Sequence, residues 1–279
     1  MGGNSKVAEK EEIINIAEGL WRETLNANSY YSIIKQYRDN YKEYENEIIM
    51  SSAFYSVTYL AIQNALFLEL SKLYDRSKGA ISLGHLVKLC GVSNCLPEYR
   101  KFETNDGRTL NIPYSHRIKN GEEWYFKDYI ESQKQIQDLL GGQNKADISK
   151  EMTASEYIDF LGKQYNSLNS ITERLIIQRN KIYAHNDVSL RLNVKDILKQ
   201  YPLHYSDIEI LIDYAFDVTR FIIGALTGIE KATSYVNIND WNGTLNYVKI
   251  GLKYRDKEIE EQTLKFTDEN FPENYNRNS

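Results

Sequence analysis

Thr153 to His185 reads TASEYIDFLGKQYNSLNSITERLIIQRNKIYAH. It opens on Thr153-Ala154-Ser155-Glu156, the spacing of a capping box, in which the threonine oxygen takes the N–H three residues on and the glutamate reaches back. From there Leu161, Tyr165, Leu168, Thr172, Leu175, Arg179 and Ile182 recur at intervals of four and three. That rhythm places one stripe of a long helix against a core. Arg179 lies on the stripe, so its side chain is expected to point inward. The predicted helix runs to about His185, where Asn186 and Asp187 end it. Its last seven residues, Arg179-Asn180-Lys181-Ile182-Tyr183-Ala184-His185, set a guanidinium and an imidazole close together on an ordered element.

The flanking segments read as scaffold, most of it helical. Val7 to about Asn26 carries Ile13, Ile16 and Leu20 at helical spacing, and the helix is expected to continue, bent or broken near Asn26-Ala27-Asn28, toward Tyr44. Glu45 to Asp75 has almost no polar face in its middle, where Phe54, Val57, Leu60 and Leu66 follow one another. A helix apolar all round is expected at the centre of a bundle, surrounded by others. On its stripe sits Glu69, and Asp75 ends it. A carboxylate on an apolar stripe needs a cationic or hydrogen-bonding partner, so both are candidates to pair with Arg179.

Ser82 caps a short helix that runs to Leu89. From Gly91 to Gly121 the periodicity is lost, and Pro97, Pro113, Asn105-Asp106-Gly107 and Asn120-Gly121 mark turns. Tyr99 to Thr104 is predicted to pair with Arg108 to Ile112 as a hairpin. Residues 91–121 thus form an insertion, within which His116 is expected on an exposed loop. Glu122 to Leu140 is helical again and stops at Gly141-Gly142. Beyond the motif, Val188 to Gln200 is a connecting segment, Ser206-Asp207-Ile208-Glu209 has the spacing of a second capping box, and the helix it opens ends at Gly228. A last amphipathic segment spans Trp241 to about Leu264. The reading is one all-α domain over residues 7–264, with frayed tails at 1–6 and 265–279.

Composition bounds the chemistry. With 279 residues, 42% of them apolar, the chain is long enough to bury a sizeable core. A net charge of −5 supplies no global field for nucleic acid, so any phosphate-binding surface must be local. A DNA-binding regulator is disfavoured on the same ground. Between Glu173 and Lys199, six Lys/Arg stand against three Asp/Glu, a local excess that suits a phosphate track or a solvated face. Two cysteines, Cys90 and Cys95, fit a reducing compartment and make no zinc site. Without a membrane-length apolar run, a cytoplasmic protein with no membrane partner is expected.

The motif suits attack on a phosphodiester. An imidazole with a reference pKa of ~6.5 exchanges protons near neutrality, as base toward a ribose hydroxyl or acid toward a leaving oxygen. A guanidinium offers a planar fork to phosphate oxygens and to charge developing on them. Asn180 is placed to orient either group. No carboxylate cluster accompanies the pair, so neither metal nor cofactor is expected. On an ideal helix Arg179 and His185 stand about 120° apart. Either the helix ends near His185 so that the ring swings round, or two copies share a groove. The bland alternative makes Arg179 an ion-paired core residue and His185 a helix cap favoured by the dipole.

The order of elements, two long helices and then a pair whose later helix closes on Arg-Asn-(four residues)-His, resembles the HEPN superfamily. More narrowly, Ala65 to Asp75 (ALFLELSKLYD), followed by Ile81-Ser82-Leu83 and later by Arg179-Asn180-Lys181 with Ala184-His185, is similar to the abortive-infection AbiU-like branch. The resemblance covers residues 10 to 260. It implies an all-α bundle, a homodimer through the motif helices, and RNA cleaved by a metal-independent ribonuclease in a toxin or phage-defence setting. It makes Arg179, Asn180 and His185 the catalytic group, with Glu69, Asp75, Lys181 and Tyr183 supporting. HEPN toxins silenced by a partner nucleotidyltransferase have a tyrosine two places after the histidine. Here Asp187 stands there, so that mode of control is not expected, and the sequence does not name an antitoxin or regulator. The family also includes non-catalytic scaffolds and nucleotide binders, which is the alternative reading.

Overall fold

A computed structural model of the protein describes residues 2–93, 95–139, 148–183 and 194–270. The chain is all-α, 73% helical, with two small antiparallel sheets inserted among the helices. The described residues fall into two compact units, residues 1–28 with 66–233 and residues 29–65 with 234–279. Helix α1 (Gly2–Asn40) and helix α3 (Ser52–Leu73) each contribute to both. The first unit also holds α4 (Leu83–Val92), β1 (Arg100–Glu103), β2 (Thr109–Ile112), β3 (Tyr114–Arg117), α5 (Glu123–Leu139) and β4 (Ser149–Met152). It continues with α6 (Ala154–Ser167), α7 (Asn169–Gln178), α8 (Val194–Gln200) and α9 (Tyr205–Thr227). The second unit holds α2 (Glu45–Met50) and α10 (Asp240–Asn270).

The core of the larger unit is built from the stripes that sequence periodicity marks. Ile13, Ala17 and Leu20 of α1, Leu70 and Leu73 of α3, Leu86 of α4, Phe160 and Leu161 of α6, and Leu211 and Val218 of α9 are all sealed from solvent. At its centre two tyrosines are buried whole. The Tyr74 hydroxyl donates to the Leu211 carbonyl, and the Tyr214 hydroxyl donates to the Leu161 carbonyl at 3.0 Å. Burial holds both phenols well above their ordinary range, so they remain donors, and each ties one helix to the backbone of another. Helix α4 lies close to α6 because residue 84 is glycine. A Cβ there would meet the Tyr165 ring at 2.6 Å. Gly84→Ala is expected to lower stability by about 1–3 kcal/mol, read as a fall in Tm, because the phenol must leave its place.

Local signals are realised where they stand. Thr153 caps α6, its oxygen accepting from the Glu156 N–H at 3.2 Å while the Glu156 carboxylate takes the Thr153 N–H at 2.8 Å. Ser82 caps α4. The hairpin forms with Arg100 opposite Ile112 and Glu103 opposite Thr109, turning at Gly107, whose φ of +81° suits a residue without a side chain.

Other expectations are corrected. The helix from the N-terminus does not break at Asn26-Ala27-Asn28. Ala27 is fully buried, and the Asn28 amide donates to the Thr233 carbonyl at 2.7 Å, so tertiary contacts carry the helix through. The long predicted helix breaks instead at Ser51, between α2 and α3. Its middle is not surrounded: Phe54, Val57 and Leu60 are 65%, 67% and 56% exposed, and sealing begins only at Leu66. The motif helix is two, α6 and α7, divided at Leu168. Part of the connecting segment, from Val194 to Gln200, is helical. The cap of α9 is His204 rather than Ser206, with the Asp207 carboxylate accepting from the His204 N–H at 2.9 Å. His116 is not on an exposed loop. It is only 4% exposed, because β3 pairs with β4, a strand from beyond α5, and the alternation of the pair turns Tyr114 and His116 inward. The expected stop at Gly141-Gly142 lies outside the described residues.

In the smaller unit Tyr44, Ile48 and Leu245 form a buried cluster, with Tyr37, Tyr55 and Trp241 packed against it. No described helix is long and apolar enough to cross a membrane.

Candidate active site

Helix α7 buries Thr172, Leu175 and Gln178. At Arg179 the backbone then widens into a π-helical turn that runs to Tyr183. Such turns carry one residue more than an α-helical turn and occur disproportionately at functional sites. The turn is held from two sides. The Gln178 amide donates to the Tyr201 carbonyl at 2.6 Å, and the Lys181 ammonium lies 5.5 Å from the centre of the Tyr201 ring. On the other side Tyr183 stacks on Phe67 of α3, ring centres 4.2 Å apart and planes 27° apart. Burial pushes the Tyr183 phenol up to about 12, so at neutral pH it is a packing residue with a protonated hydroxyl.

Arg179 is half-buried, and its Nε is enclosed without a hydrogen-bond partner among the described residues. The two acids that the sequence offers it are engaged elsewhere. Glu69 pairs with Lys72 at 3.1 Å and faces α1, where, after burial, it is the second cause that raises the Glu23 carboxyl. Asp75 accepts from the Ser77 N–H at 2.8 Å. Bonds from Ser77 hold its carboxyl below the usual range, and the Arg179 charge adds to them. So Asp75 stands within electrostatic reach of Arg179 without capturing it. No carboxylate among the described residues lies within ion-pair distance of this guanidinium. Asn180 is half-buried on the same turn. His185 lies outside the described residues, so the structure places Arg179, Asn180, Lys181, Tyr183, Glu69 and Asp75.

A second polar cluster was not anticipated from the sequence. The His116 Nε2 lies 2.8 Å from the Glu122 carboxylate, and its Nδ1 lies 2.9 Å from the Tyr157 hydroxyl. Burial first, then the nearby Asp217 and Glu122 charges, keeps the Tyr157 phenol protonated. The tautomer with its proton on Nε2 donates to Glu122 and accepts from the Tyr157 hydroxyl at Nδ1. Glu122 also accepts from the Lys119 N–H at 2.9 Å and the Gln164 amide at 3.0 Å. Next to it Lys119 and Asp217 pair at 2.7 Å. Burial draws the Lys119 ammonium down, but Asp217 more than restores it; burial likewise lifts the Asp217 carboxyl against the pull of Lys119. Its members come from β3, the β3–α5 connection, α6 and α9. Only the three-dimensional pairing of β3 with β4 assembles them, which is why sequence spacing carries no sign of it.

An all-α bundle with an arginine-led polar motif at the end of a core helix is the arrangement that the sequence resemblance to the HEPN superfamily leads one to expect. The family model HEPN_AbiU2, described as AbiU2, matches residues 10–244, and the chain belongs to that family. It is thereby an abortive-infection HEPN-type protein. No curated protein and no solved structure shows significant similarity to the chain.

Proposed function

We propose that the protein is a metal-independent endoribonuclease of the toxin or phage-defence type, acting as a homodimer through its motif helices. The observation that carries this reading is the state of Arg179. A half-buried guanidinium that no carboxylate among the described residues pairs with is a ready seat for a phosphate, because its desolvation is already met by the fold. His185, six residues on, supplies the proton transfers. In the reaction the ribose 2′-hydroxyl gives its proton to an imidazole and its oxygen bonds to phosphorus. The bond from phosphorus to the 5′-oxygen breaks, and that oxygen takes a proton from a second imidazole, contributed by the other copy. Arg179 balances the charge on the equatorial oxygens, and Asn180 orients the attacking hydroxyl. The products are a 2′,3′-cyclic phosphate and a 5′-hydroxyl.

Incubation of the purified protein with single-stranded RNA in EDTA is expected to give fragments with those two ends. Fragments with 3′-hydroxyl and 5′-phosphate ends, or cleavage that EDTA stops, would contradict the mechanism.

A further inference from the structure

A cavity of about 460 Å³ opens between the α3–α4 connection, the first turns of α4 and the later half of α6. Its rim carries three basic side chains, Arg76, His85 and Lys88, all exposed. His85 and Lys88 are three residues apart on α4 and so share a face. Lys88 has no carboxylate within ion-pair distance among the described residues. The surrounding sequence is unusual for an acidic chain: residues 76–97 contain Arg76, Lys78 and Lys88 and no Asp or Glu at all. The one acid in the lining, Asp75, is turned to Ser77.

The cavity is coupled to the candidate site through α7. The Arg76 guanidinium lies over the Tyr165 ring, 5.1 Å from its centre, and donates to Asn169 and, at 3.3 Å, to Thr172. Thr172 and Arg179 are seven residues apart on one stripe, two turns or ~10 Å along the axis. Asp75 lines the cavity and also feels the Arg179 charge. The Arg76 guanidinium, held at the cavity rim by its ring and hydroxyl contacts, therefore touches α7 about two helical turns before Arg179.

We propose that this cavity is an RNA subsite, in which Lys88, His85 and Arg76 hold a backbone phosphate of the strand whose scissile phosphate sits at Arg179. The assignment rests on the ribonuclease reading and names the path of its substrate. A lone anion site would not need a second uncaptured guanidinium about two helical turns away, whereas a polymer of evenly spaced phosphates has a use for one.

The test is fluorescence anisotropy with a labelled single-stranded RNA in EDTA, using the full chain with His185→Ala so that the strand stays intact. Adding Lys88→Glu is expected to weaken binding about tenfold or more and to lower the slope of log affinity against log salt by about one, the signature of one lost phosphate contact. His85→Ala weakens it less, and Lys101→Glu on the hairpin leaves it unchanged. Unchanged affinity and salt slope in Lys88→Glu, with RNA still cleaved by the chain that retains His185, would overturn the subsite and leave the ribonuclease standing. A polyglutamate peptide that binds as tightly as RNA and loses affinity equally in Lys88→Glu would assign the cavity to an acidic protein partner and overturn the RNA assignment. Absence of RNA binding in every form would overturn both readings.

Discussion

Arg179→Ala is expected to reduce RNA cleavage by about a hundredfold or more, the scale on which a single charge-stabilising donor contributes to a transition state. The same substitution should leave Tm nearly unchanged. A structural arginine behaves otherwise: when a buried carboxylate loses its only partner, the cost runs to about 3–5 kcal/mol. Here neither nearby acid depends on Arg179. Glu69 keeps Lys72, and Asp75 keeps the bonds from Ser77. What is lost is the packing of the arginine stem and a screened attraction to Asp75, together about 1 kcal/mol. The measurement pairs an initial rate on RNA with a thermal melt of the same preparation. A fall of many degrees with cleavage intact would make the residue a brace and the protein a helical scaffold.

Glu122→Ala is expected to give the larger loss of stability. The carboxylate receives three donors, from the His116 ring, the Lys119 backbone and the Gln164 amide, within an almost dry setting. Removing it leaves all three facing a void, and each stranded donor costs about 1 kcal/mol or more, so the sum is about 3 kcal/mol or more. For a unit of this size that lowers Tm by about 6–12 °C. Glu122→Gln keeps the shape and one acceptor and should recover part of the loss. Calorimetry of both variants decides the matter: a melt within a degree of the original for Glu122→Ala would show that the cluster does not hold the insertion to the bundle. RNA cleavage per folded molecule is expected to survive, because the cluster lies apart from the motif turn in sequence and, among the described residues, makes no hydrogen bond to it.

Which parts of this could be read from residue order follows from the range of the forces involved. Thr153 and Glu156, or Asn105-Asp106-Gly107, act within one turn of chain, and the structure shows them where local chemistry places them. The inward stripe that carries Arg179 is equally local, since a helix fixes its own faces. His116 was misread because its burial depends on a strand that lies beyond an entire helix. The stacking of Tyr183 on Phe67 likewise depends on which helices become neighbours, whereas the pairing of Glu69 with Lys72, three residues on in the same helix, is local. The apolar run through Phe54, Val57 and Leu60 was misread for a different reason. Hydrophobicity records what burial would gain, and it does not say which surface provides it.

The widened turn from Arg179 to Tyr183 makes the backbone path of the motif more sensitive to the count of its residues than to their bulk. Exchanging one half-buried side chain there, such as Ile182, for another of similar bulk leaves the backbone path alone. Removing a single residue would let the segment relax into ordinary helix, shifting whatever follows by about 100° and 1.5 Å relative to the Phe67 ring that now anchors it. Natural variation at this place should therefore almost never change the number of letters between the arginine and the tyrosine.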